Sequence, residues 1–130
     1  MSMGESATAL GKVRGLGSAG HGGRHWVEER FSSVALVLLT LWLLFSLILL
    51  PDLDQRTLSE WLSGAAGAVP MALFVVTAFK HGLEGMKVVV DDYVHEEGMR
   101  LGVHFLMTMA AVAGAALCLF ALGKIAFGAE

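Results

Sequence analysis

Residues 101–123 read LGVHFLMTMAAVAGAALCLFALG, twenty-three residues in which His104 is the one ionisable side chain. A helix rises about 1.5 Å per residue, so roughly 20 apolar residues cross the ~30 Å hydrocarbon core of a bilayer, and this stretch is long enough to do so. Two further runs lie upstream: Phe31 to Leu50, twenty residues without a charge, and Trp61 to Phe79, nineteen more. The whole chain has 130 residues, is 55% hydrophobic and has a mean hydropathy of +0.66. Three such runs in so short a chain leave too little polar surface to wrap them as the core of a soluble protein. In lipid every backbone polar group must be satisfied internally, which helices do within one segment. The expected fold is an all-α membrane protein with three transmembrane helices, spanning about 31–50, 70–90 and 101–123.

The polar remainder sets the orientation. Lys12, Arg14, Arg24 and Arg30 precede the first run, whereas the connection from Pro51 to Glu60 holds Arg56 beside Asp52, Asp54 and Glu60. The positive-inside rule then places the N-terminus in the cytoplasm, and three crossings place the C-terminus on the outer side. Residues 1–23 are rich in Gly and Ser with little periodicity and read as a flexible cytoplasmic tail, leaving 24–130 as a three-helix membrane domain. The first run is too long for a signal-peptide core and no cleavage pattern accompanies it, so it is expected to remain as a span. His25 and Trp26 fall where an interfacial anchor in contact with lipid headgroups would sit. No Lys/Arg run points to nucleic acid. The single cysteine, Cys118, lies inside the third run and reads as a small hydrophobe.

The second span carries the unusual residues. A continuous helix from Trp61 to Tyr93 would be about 50 Å long and overshoot the bilayer. Pro70 suits a first helical turn, where its missing N–H costs nothing. The span is therefore expected near 70–90, with Gly64 to Ala68 as an entry turn, His95 to Gly98 as an inner loop, and His81 close to mid-membrane. Lys80, Glu84, Lys87 and Asp91 recur at steps of four, three and four, forming one stripe of alternating sign beside the His81 face. At about 100° per residue, the eleven steps from His81 to Asp92 return to within roughly 20° of the same face, about 16 Å along the axis.

An ionisable group at membrane depth is costly and marks a functional site by default. A neutral imidazole binds iron, and axial ligation brings a flat macrocycle close to the helix. Gly82 and Gly85 remove side chains where a porphyrin would press. The residues alone leave alternatives open: His81 as a packed, hydrogen-bonded histidine or an iron ligand, Tyr93 as an interfacial aromatic or a quinone donor, Asp92 as a solvated helix end or a proton relay. His104, just inside the third run, is the competing ligand, with a hydrogen bond across helices as its other reading.

Taken together, His81, Gly85, Val89 and Asp92-Tyr93-Val94, with His25-Trp26 and Arg30 ahead of the first span, resemble the small hydrophobic membrane-anchor subunit of bacterial succinate dehydrogenase, respiratory complex II, of the cytochrome b556 type. The resemblance covers most of the chain from about Gly15 onward. It implies that His81 is one axial ligand of a b-type haem, the other coming from a second membrane-anchor subunit, cytochrome b. It implies that Tyr93 hydrogen-bonds a ubiquinone carbonyl with Asp92 beside it, and that Gly85 packs the porphyrin. The chain has neither a cysteine set for an iron-sulfur cluster nor a dinucleotide motif, so succinate oxidation falls to iron-sulfur and flavoprotein subunits and this chain is not catalytic alone. The implied location is the bacterial inner membrane. A fumarate reductase anchor is the near alternative. A structural or assembly protein without cofactor, and a transporter subunit, are the readings from other classes.

Overall fold

The computed structural model describes residues 22–128, with side-chain surroundings from Trp26 onward. The tail assigned to residues 1–23 therefore lies outside the described residues except at Gly22 and Gly23, which already open the first helix. Four helices follow in order: α1 Gly22–Leu49, α2 Gln55–Ser63, α3 Ala65–Tyr93 and α4 Glu97–Ala126. Three of them, α1 from Trp26, α3 and α4, are long and apolar enough to cross a membrane. The all-α, three-span architecture is as expected, and the chain is a multi-pass membrane protein.

The helices outrun the apolar sequence that predicts them. Helix α3 has 29 residues, about 43 Å of helix, and runs unbroken through the stretch expected to be an entry turn. Only Gly64 interrupts the path, in an extended conformation (φ −82°, ψ 144°) that ends α2 and starts α3. Pro70 is consequently the sixth helical residue rather than a first-turn residue, and its ring nitrogen has no N–H for the carbonyl of Ala66. Such a gap is tolerated in membrane helices where neighbours re-satisfy the freed group. The inner loop is shorter than expected, from Val94 to Glu96. The Val94 N–H still donates to Val90 O, and the Glu96 carboxylate caps α4 by accepting from the N–H groups of Gly98 and Met99. Capping by Glu96 pulls Gly98 into the helix.

Helix α2 is short and amphipathic. Asp54 caps it by accepting from Thr57 N–H at 2.7 Å, which holds the Asp54 carboxyl below the ordinary aspartate range. Arg56 donates to Glu60 at 2.8 Å, and this partner raises the guanidinium further above its usual range. On the other side of α2, the Trp61 indole stacks on Trp42 of α1, with centroids 5.6 Å apart. The turn into α3 is so tight that a Cβ on Gly67 would lie 2.3 Å from the Trp61 carbonyl oxygen, so only glycine fits there.

Helix α3 is the hub. It packs along α1, α2 and α4, and α2 also touches α4, but α1 and α4 do not meet among the described residues. Between α3 and α4 the approach is closest at Gly114, where a Cβ would come 2.7 Å from the Phe79 ring. Small residues there allow close packing, as the alanines and glycine of residues 110–116 lead one to expect. Very little is buried within the chain: Leu122 is the buried hydrophobic residue and Ser32 the buried polar one among the described residues.

Candidate functional site

His81 lies just past the middle of α3 and is half-buried. Its Nδ1 is 3.1 Å from the Oγ of Ser32 on α1. Ser32 is 9% exposed, and its hydroxyl also donates to the Glu29 carbonyl one turn back along α1, at 2.9 Å. His81 lines an open groove of about 320 Å³ between α1 and α3, whose other walls include Leu36, Val37, Thr40 and Leu41. Thr40 spends its hydroxyl on the Leu36 carbonyl at 2.7 Å, so it presents little free polarity to that groove. The Nε2 atom of His81 has no hydrogen-bond partner among the described residues.

The glycines beside it behave as the spacing suggests. A Cβ placed on Gly85, or on Gly82, would meet nothing within 4 Å, so both positions leave flat backbone facing open space. His81 and Gly85 thus form a continuous patch, one turn apart. His81 is level with Ser32, the second residue of α1's charge-free run, while Phe79 two residues earlier meets Gly114 in the middle of α4's run.

Asp92 and Tyr93 close α3 at its last two positions, both exposed, with Tyr93 79% accessible. Neither side chain has a hydrogen-bond partner among the described residues. They are three turns from His81, so the chain holds two separate places for chemistry and does not fold them together.

The charged stripe divides. Lys80 and Glu84 pair at 2.8 Å, leaving the second Glu84 oxygen buried without a partner among the described residues, and Lys87 makes no ion pair. Asp91 faces α4 instead, 3.8 Å from Arg100 Nε and 3.3 Å from His104 Nε2. The last contact is within ion-pair range but is not aligned as a hydrogen bond. His104 accordingly comes close to a carboxylate on another helix but does not make the cross-helix hydrogen bond expected of it among the described residues. At the head of α1, the Arg30 guanidinium lies 4.9 Å over the Trp26 ring. Among the described residues no cluster of three His, Cys, Asp or Glu side chains could hold a bare metal ion.

Ser32 escapes a reading of the sequence. Two serines near the start of an apolar run are a weak flag, and nothing in either helix alone says which of them faces His81.

Three long apolar helices packed around α3 define a class, the multi-pass membrane proteins. Residues 5–115 match the family described as succinate dehydrogenase/fumarate reductase transmembrane subunit, and the chain belongs to that family. The succinate dehydrogenase hydrophobic membrane anchor subunit of Paracoccus denitrificans is 30% identical over 117 residues, 90% of this chain and 90% of that protein. That of Rickettsia bellii is 32% identical over 83 residues, 64% of this chain and 66% of its own length. The succinate dehydrogenase membrane anchor subunit of Reclinomonas americana is 29% identical over 94 residues, 70% and 78% respectively.

Proposed function

We propose that the chain is a membrane-anchor subunit of a succinate:ubiquinone oxidoreductase in a bacterial inner membrane, its N-terminus cytoplasmic and its C-terminus outside. It binds a b-type haem jointly with a second anchor subunit and helps form the site of ubiquinone reduction. Its other partners are an iron-sulfur subunit and a flavoprotein subunit. The observation that carries the reading is the His81 imidazole, in contact with Ser32 at Nδ1 and with Nε2 unpartnered among the described residues, one turn from the uncovered backbone of Gly85. One ligand on an open face fits a group whose second ligand comes from another chain.

A haem held there would accept and pass on single electrons. The residues of this chain do the rest of the work. His81 fixes the iron at one helix position, and the glycines let a flat ring approach α3. Tyr93 offers a phenol proton to a quinone carbonyl oxygen, and Asp92 orients water or relays a proton at the cytoplasmic end. The family also takes in anchors of fumarate reductase; direction is set by potentials that reside largely on other subunits.

The test is an absorption spectrum of the purified complex. A reduced b-type signal is expected in the wild type, and it should be lost or altered in His81→Ala while the subunit still inserts. A colourless wild-type complex, or an unchanged spectrum in His81→Ala with loss in His104→Ala, overturns the reading.

A further inference from the structure

A hydroxyl group carries one proton and can accept through its oxygen at the same time, and Ser32 has a use for both. Its Oγ donates to the Glu29 carbonyl at 2.9 Å, a bond that stays inside α1. The same oxygen lies 3.1 Å from His81 Nδ1, and while its proton is on the Glu29 carbonyl it can accept there. In that arrangement Nδ1 carries the imidazole N–H. A neutral imidazole has one N–H, so the lone pair is at Nε2, the atom without a partner among the described residues.

From this hydrogen-bond chain we infer that Ser32 is a positioning residue for metal ligation, which fixes the tautomer and ring plane of His81 and tunes the iron through it. The inference rests on the reading that His81 is an axial ligand. Metal-binding histidines generally donate their other N–H to an acceptor, which orients the ring and raises its basicity. Helix carbonyls on α1 point along the helix axis into their own ladder, so a side chain is better placed to present an acceptor toward α3. A carboxylate at this depth would bring a charge into an apolar groove at high desolvation cost. Serine, back-bonded to its own helix, presents a neutral lone pair at low cost. Its burial keeps water from competing for Nδ1.

Accepting from Nδ1–H lends the ring some imidazolate character and favours the oxidised iron. Loss of the acceptor should therefore raise the haem midpoint potential. The assay is potentiometric titration, with low-spin electron paramagnetic resonance spectra, of the purified four-subunit complex carrying Ser32→Ala. Haem should remain bound, the potential should shift upward, the g-values should change, and haem transfer to an apoprotein acceptor should speed up by about tenfold. Ser32→Thr retains a hydroxyl able to back-bond on a helix and should restore wild-type values, whereas the equally bulky Ser32→Val should resemble alanine. The Thr and Val pair also carries the comparison where alanine packs too loosely to assemble. A potential and spectrum alike in Ser32→Val and Ser32→Thr overturn the role of Ser32 while leaving His81 as ligand. A haem signal that persists in His81→Ala overturns the ligand itself, and the inference with it.

Discussion

At the scale of single residues, the roles proposed for Tyr93 and His81 lie three turns apart. Tyr93→Phe keeps the ring and removes the hydroxyl, so an aromatic anchor at the interface would tolerate it. If the phenol donates to a quinone carbonyl chiefly in the transition state, electron transfer to ubiquinone should fall by roughly tenfold, about 1.4 kcal/mol. Succinate oxidation read with a soluble dye that takes electrons upstream should persist, as should the haem spectrum. Equal loss of both activities would mean failed assembly, and unchanged quinone reduction would remove Tyr93 from the site. His81, Gly85, Asp92 and Tyr93 were all legible as candidates because each is chemically out of place in, or at the end of, an apolar helix. The acceptor at Nδ1 was not. The pairing of Ser32 with His81 spans 49 residues and depends on the axial register of two helices, which neither amphipathicity nor composition encodes.

Among the elements, α2 is the one that hydropathy concealed, since Trp61 and Leu62 read as the start of a span. The break at Gly64 turns them into the apolar side of a separate short helix, and the cap at Asp54 fixes where it begins. Apolar runs predicted that α1, α3 and α4 exist, but not their ends: caps and polar side chains carry a helix past the residues lipid would cover. The junction makes a sharp prediction. In Gly67→Ala the new methyl would collide with the Trp61 carbonyl, a backbone atom with no rotamer to escape into. Helix α2 should move off, at a cost of about 1–3 kcal/mol as for other overpacked sites. The Trp42–Trp61 stack would open, changing the tryptophan emission, and the 50–56 connection would become more accessible to protease. Emission and cleavage identical to wild type would show that the two helices adjust without separating.

For the whole molecule the sparse interior is decisive. With Leu122 as its buried hydrophobic residue among those described, the chain gains little by packing on itself, and its large apolar side chains are mostly exposed on the outside of the bundle. Expressed without the second anchor subunit, it should accumulate in membranes several-fold less than in the full complex, measured by immunoblot with synthesis rates matched. Equal accumulation would show that the three spans are self-sufficient. Contacts radiating from α3 also order events in time. Helix α1 is made first, yet among the described residues its backbone packs along α3, which is made after it, and Ser32 waits for His81, 49 residues later. At 5–20 residues per second, synthesis leaves the newborn first span alone in the membrane for about 2–10 s. Through that interval the Ser32 hydroxyl needs a partner that is already present, and the Glu29 carbonyl of its own helix is one.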